Sequence, residues 1–473
     1  MAVITAPTYD PKTTAENLAN AYVASSKAML DKQSSNATAT ATGLTKLGSA
    51  LSAFQTAMAG LTTSSTALSA TKATFSNTSI GTATATSSAQ AGSYAFYVQQ
   101  LATAGQVSYN VADSAATGAG SMNITLADGS AFQVDLANAD TNKDNLLSAK
   151  EVAAAINAAA DNKSRVTAST MTINGQTRLV LTSAQTGADN AVASIDTSGL
   201  GDAGLQGALS NANQTVLTAA TNAIVFAGGK NGTKVEQASN TFSIVDGVKF
   251  TVTQAQGVND AAVTLTVAAD NSGTATNVQK FVDAYNLLMG TIKTLTAAGD
   301  HSLTTGDTTA TPTSADAAFY NDSGVINLRD RLNGILRNAS GGQSLISYGI
   351  IASKDGTLTL DSKRLDKAIA ANPEGLDTLF GRAGVGIDSG VLGAMNKLTI
   401  TWTTGAGGLI TQRRSQNDRL QSDLTDRQAT LQTKFDNAYK RYLAQFTALQ
   451  QLQASMTSTS NMFTAMFSSD SDS

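Results

Sequence analysis

The two ends of this chain carry the feature that most narrows its fold: apolar residues recurring three and four apart over stretches too long for an ordinary globular helix. Between Leu420 and Met456, the positions Leu424, Leu431, Phe435, Ala438, Tyr442, Leu449, Leu452 and Met456 fall on a heptad grid that neither Pro nor Gly interrupts. At 1.5 Å per residue this helix is roughly 55 Å long and needs other helices along its length. The region from Ala15 to Leu61 supplies one. Leu18, Tyr22 and Met29 mark its first stretch, and Leu44, Leu47, Leu51, Phe54, Met58 and Leu61 form a single stripe in its second. Most remaining positions there are Ala, Ser or Thr, which lets helices approach closely. The pattern predicts one stalk of coiled-coil helices made from both chain ends. Two helices do not easily cover each other over that length, so the seam is expected to continue into other molecules; an ordinary intramolecular coiled coil is the competing reading.

Between the ends the period changes to two. Tyr94, Phe96 and Val98 alternate with other residues, and turn pairs separate alternating runs at Asp128-Gly129, Asn174-Gly175 and Asp246-Gly247. Hairpins are expected at all three. Helical patterning returns at Val278 to Ile292, Leu328 to Leu336 and Leu365 to Phe380. With 473 residues, beyond the roughly 250–300 at which a single core stops growing, the chain reads as an α+β multidomain protein.

Charge and composition exclude several functions. The 31 basic and 35 acidic residues include no basic block able to neutralise a run of phosphates, so nucleic acid is not an expected partner. No apolar run approaches the roughly 20 residues that span a bilayer, and no signal-peptide pattern opens the chain; neither membrane insertion nor the usual secretory route is indicated. The absence of cysteine removes disulfides, thiolate metal sites and cysteine nucleophiles.

Three motifs bear on chemistry. His301, the lone histidine, sits in a polar stretch without a nucleophile elbow and reads as a solvated loop residue. Gly199-Leu200-Gly201-Asp202-Ala203-Gly204 matches the dinucleotide fingerprint, but a polar continuation follows it and the motif reads as a glycine loop. The best candidate is Asp140 to Glu151. Asp140, Asn142 and Asp144 occupy positions one, three and five of a calcium loop, Leu146 offers a carbonyl at seven, Ser148 acts through water at nine, and Glu151 is the bidentate twelfth ligand. Asn145 replaces the usual glycine at the turn. The same residues also fit a capped helix from Ala149 to Ala159, with Ser148 as N-cap and Glu151 closing a capping box. Trp402, beside Thr and Gly, reads as a packed hinge residue.

Several segments, in order, resemble the flagellar filament cap family. They are Gly92 to Ala104 (GSYAFYVQQLATA), SNTFSIVDGVKFTV, VTLTVAADN, FVDAYNLL at Phe281 to Leu288, the stretch from Leu345 to Gly381, and the terminal YLAQFTALQQLQASMTSTSNMFTAMF. The stretch beginning AAINAAADNKS resembles an insert found in flagellins and cap proteins. The glycine-rich opening common in the family is replaced here by APTYDPKTTAENLANAYVASS.

The resemblance implies a terminal coiled-coil leg (1–36 and 406–473), a mainly helical middle domain (37–74 and 273–405), a β-rich domain (75–110 and 222–272) and an inserted β-rich outer domain (111–221). It implies a secreted, non-enzymatic homo-oligomer at the flagellar tip, exported through a signal in its first residues, with flagellin, the hook-filament junction protein and an export chaperone as partners and no required cofactor. Contacts to other copies or to the filament are expected at Leu424, Leu431, Phe435, Tyr442, Leu449, Leu452 and Met456. Another axial flagellar protein and an extracellular adhesin are the competing readings.

Overall fold

The computed structural model describes residues 10–62, 67–116, 119–300, 316–337, 343–383 and 389–468; His301, the first nine residues and the last five lie outside them. In chain order the helices are α1 (Pro11–Leu61), α2 (Ala149–Ala158), α3 (Ala203–Ala208), α4 (Asn271–Leu295), α5 (Ser323–Arg337), α6 (Ser362–Ala371), α7 (Gly375–Phe380), α8 (Gly390–Thr403) and α9 (Leu409–Ser468). Two compact units result: residues up to 63 with those from 275 onward, and residues 64–274. This is an α+β multidomain fold.

The first unit is helical. Asp10 caps α1 by accepting from the backbone N–H groups of Lys12 and Thr13, with Pro11 in the first turn where its missing N–H costs nothing. From there α1 runs 51 residues, crossing positions 36 and 37 without a break. The predicted stripe Leu44, Leu47, Leu51, Phe54, Met58 and Leu61 is buried throughout. It meets α8, where the Gln55 amide donates to the Thr399 and Thr403 hydroxyls at 3.1 and 3.0 Å, and α4, where Phe54 packs edge-on against Tyr285. Trp402 is buried in the last turn of α8, beside the short connection to α9. The helical signal from Leu365 to Phe380 resolves into two helices, because Pro373 cannot continue α6 and that helix is capped at Asn372.

The second unit is β-rich, and every strand pair among its described residues is antiparallel. A five-stranded sheet in the order Ala70–Phe75, Val263–Asp270, Gly92–Gln100, Ala223–Ala227, Thr233–Gln237 faces the small sheet Thr241–Phe242, Val248–Val252, Gly81–Ala85. Phe250 centres their core, 4.8 Å from Phe96, 5.4 Å from Phe242 and 5.6 Å from Phe75 between ring centroids. A second core draws on residues 107–209, where a four-stranded sheet, a three-stranded sheet and α2 pack together. All three hairpins form with a glycine at positive φ: Gly129 at 85°, Gly175 at 80° behind Asn174 at 51°, and Gly247 at 71°. The glycine loop at Gly199 leads into the six-residue α3, capped by Asp202.

Candidate functional site

The candidate site is the helical stalk of α1 and α9. α9 is longer than its heptads suggested: it begins at Leu409, eleven residues before Leu420, and its 60 residues extend roughly 90 Å. Its first half is anchored to α1. Leu424 packs with Leu30 and Ala37 in a small core, with Leu431 half-buried beside it, and the buried Asn417 amide donates to the Ala37 carbonyl at 3.0 Å. Arg414 reaches the Thr45 hydroxyl. Arg413 makes two hydrogen bonds to the Asp322 carboxylate, 2.8 and 3.1 Å, while its guanidinium lies 5.4 Å from the Trp402 ring centre. Burial pushes the Asp322 carboxyl up, but the Arg413 hydrogen bonds and neighbouring backbone N–H groups outweigh it and hold the group below its ordinary value.

The face that α1 presents differs from the sequence expectation. Leu18, Tyr22 and Met29 are exposed at 39%, 57% and 64%, while Ala15, Ala19, Val23, Leu30 and Ala37 are buried. Small side chains line the seam because they let the two backbones approach. Tyr22 instead lies on the outside, under the Arg441 guanidinium at 6.0 Å.

Along α9 the predicted contact residues divide by position. Leu424 and Ala438 are buried; Leu431, Phe435 and Tyr442 are half-buried; Leu449, Leu452 and Met456 are exposed at 40%, 57% and 64%. The exposed series continues through Met462 and Phe463. No residue from Tyr442 to Ser468 carries a charge. The abrupt loss of charge after Arg441 is the sequence signal that marks this half of the helix; Asn417 and the Arg413–Asp322 pair have no comparable signature.

The Asp140–Glu151 loop is ordered by its own side chains. Asp140 accepts from the N–H groups of Lys143 and Asn145, Asn142 from that of Asp144, and Asp144 from that of Leu146. Lys143 and Asn145 sit at φ of 62° and 64°, so Asn145 takes the left-handed turn in place of glycine. The capping box is formed: Ser148 and Glu151 exchange hydrogen bonds, and the other Glu151 oxygen accepts from Thr141 and Asn142. Hydrogen bonds from Ser148 above all pull the Glu151 carboxyl down to about 2. Leu146 pairs through a two-residue strand with Ala115. Among the described residues no three His, Cys, Asp or Glu side chains converge as a metal-binding group, because these carboxylates face backbone N–H groups.

Comparison with known proteins decides the family. Residues 8–105 match the flagellar hook-associated protein 2 N-terminus and residues 220–458 its C-terminus. The chain belongs to the flagellar hook-associated protein 2 family. It is 33% identical over 392 residues to the lateral flagellar hook-associated protein 2 of Vibrio parahaemolyticus, covering 81% of this chain and 83% of the relative. It is 29% identical over 461 residues to the flagellar hook-associated protein 2 of Escherichia coli K12, covering 94% and 93%. Among solved structures it resembles the flagellar cap protein FliD of Escherichia coli with a TM-score of 0.58 at 27% identity, over 79% of this chain and 99% of that one.

For a hook-associated protein 2, the distribution of the candidate residues is informative. The stalk positions from Leu424 to Met456 all fall within the C-terminal match, whereas the Asp140–Glu151 loop falls between the two matched stretches. Among the described residues no helix is long and apolar enough to cross a membrane.

Proposed function

We infer that this chain is a structural capping protein at the distal tip of a bacterial flagellar filament, where it promotes insertion and folding of exported flagellin and prevents its leakage. The observation that carries the reading is the uncharged, exposed apolar seam of α9, held out by a charged, anchored first half, in a member of this family. Such a helix is marginal alone in water and is stabilised by partners along its apolar face. An uncharged seam accepts helices of neighbouring axial subunits without leaving a buried charge unpaired. No covalent step is required, so the role is non-enzymatic.

Flagellin, the hook-filament junction protein and an export chaperone are the proposed partners, with the protein acting outside the cell as a homo-oligomer. Deleting the gene, imaging the flagella and assaying flagellin in the medium tests this: hooks without filaments and spilled monomeric flagellin, rescued by added protein, support capping. Normal filaments would favour the adhesin reading. Removal of Leu409 to Ser473 should leave the β-rich unit folded but unable to hold the tip.

A structural calcium ion in the Asp140–Glu151 loop is a second, separate proposal, favoured by the spacing of its oxygen ligands and by the turn at Asn145. Binding would exchange the present N–H contacts for the cation. Calorimetry with millimolar calcium should show heat that Glu151→Gln abolishes, and a flat trace for the unaltered protein removes the site.

A further inference from the structure

We propose that the edge strand Ala131–Asp135 takes up an extended, acidic segment of a partner protein as an added strand. Ladder geometry fixes which of its groups face outward. Leu126 donates its backbone N–H to Ser130 and Leu136 donates to Gly120; in the register between them Asn123 stands opposite Gln133 and Ser121 opposite Asp135. Bonded and unbonded pairs alternate in an antiparallel ladder, so the N–H and C=O groups of Ala131, Gln133 and Asp135 point away from the sheet. The strand is the last of its three-stranded sheet. Among the described residues nothing pairs with the outward groups of Gln133 and Asp135.

Other edges in the same part of the chain are closed by side-chain amides. On the strand Val166–Ile173, Asn162 both donates to and accepts from Val166, and Asn157 does the same at Ala168. On Val192–Asp196, Gln214 donates to the Val192 carbonyl and Asn211 accepts from the Ile195 N–H. Such contacts keep an edge from pairing with another chain. The strand Ala131–Asp135 is closed at one end, where the Arg165 Nη2 donates to the Ala131 carbonyl at 3.3 Å, and is open beyond it.

Charge selects the partner. A cleft of about 470 Å³ beside the strand is lined by Asn123, Gln133, Asp161, Lys163 and Arg165, two cations against one carboxylate. Both cations are held by backbone geometry. Lys163 and Ser164 sit at φ of 48° and 58°, a conformation that non-glycine residues keep only where their surroundings impose it. The buried Asn162 imposes it through three hydrogen bonds with Ile156 and Val166. Arg165 donates from Nε to the Asn162 carbonyl and from Nη2 to Asp161 and Ala131, which leaves both Nη1 hydrogens for a ligand. An added strand gains backbone bonds at Gln133 and Asp135, about 7 Å apart, and sets a carboxylate against Lys163 and Arg165. The Asp135 carboxylate disfavours acid at the far end, so the partner's acidic residues belong at the Ala131 end. Strand and cleft lie outside both family-matched stretches, and the proposal does not depend on the capping role.

The test uses the full-length purified protein and dye-labelled, end-blocked peptides of sequence Glu-Glu-Thr-Val-Thr-Val and its reverse, which carry the acidic pair at either end of an extended stretch. Fluorescence anisotropy should show one of the two orders binding at sub-millimolar concentration, and hydrogen exchange at the Gln133 and Asp135 amides should slow as it binds. Gln133→Pro removes an outward N–H without breaking a ladder bond and should weaken binding about tenfold, with circular dichroism unchanged. Lys163→Glu should weaken it at least as much, and lysines in place of the peptide's glutamates should abolish it. No binding of either order at millimolar peptide overturns the proposal. So does a folded Gln133→Pro variant that binds like the unaltered protein. Bound peptide that leaves both amides exchanging freely overturns it as well, making the cleft an anion site instead of a strand acceptor; this readout needs no variant. All of these use isolated protein, so a failure here is separate from a failure of the filament assay.

Discussion

The two halves of α9 share one heptad grid and do different work. Up to Arg441 the helix is rich in Arg, Lys and Asp, Leu424 and Ala438 are buried, and side chains tie it to α1 and to Asp322. Beyond Arg441 the grid continues, the charges stop and the apolar residues are exposed. Periodicity therefore reports that a helix has an apolar face, and the change in charge coincides with the place where burial of that face gives way to exposure. The first half is anchored within the chain, and the second presents the exposed apolar face proposed for assembly.

Substitutions can break this contrast, taken in order of expected loss of folding stability. Leu424→Ala empties a buried site and should cost about 2–5 kcal/mol, read as faster hydrogen exchange across α1 and α9; protection equal to wild type would mean that the first half is not anchored by this core. Asn417→Leu removes the buried amide's hydrogen bond to the Ala37 carbonyl, which keeps its own partner within α1, and should cost about 1 kcal/mol by the same measurement. Arg413→Lys keeps the charge but loses the two-pronged contact with Asp322 and the face of Trp402, for about 0.5–1.5 kcal/mol.

The Arg413 variant also sharpens a pH effect. The folded Asp322 carboxyl lies below its ordinary value of 3.8, so its contribution is present above pH 3.8 and is lost as the pH falls through the lowered value. Arg413→Lys should therefore weaken the acid dependence of helix protection near α5, and an unchanged acid limb would show that the pair does not contribute. Met456→Lys stands at the other extreme. It should change folding by no more than about 0.5 kcal/mol while cells carrying it fail to retain filaments; normal filament growth would place the assembly face elsewhere.

Much of the fold was legible in local pattern. The Leu44 to Leu61 stripe was readable because six large residues on one helical face have a single low-energy place to go. The three hairpins were readable because positive φ at Gly129, Gly175 and Gly247 is a local demand. Less was legible at the site. The first stretch of α1 was assigned through its large residues, and the structure turns Leu18, Tyr22 and Met29 outward. Pairing through Ala15, Ala19 and Val23 depends on how closely the α9 backbone approaches, which no single helix encodes.

By itself the sequence determined that both ends are long helices, that turns fall at Gly129, Gly175 and Gly247 in the period-two region between them, and that α9 loses its charges after Arg441, because each depends on neighbouring residues or on side-chain chemistry alone. It also placed Ser148 and Glu151 in a capping box, since both partners lie within one turn. Only the tertiary structure decided which face of α1 is buried, that Asp322 meets Arg413 from 91 residues away, and how far along α9 the cover of α1 reaches. Those are distances between segments remote in sequence, set when the two helices pack and not before.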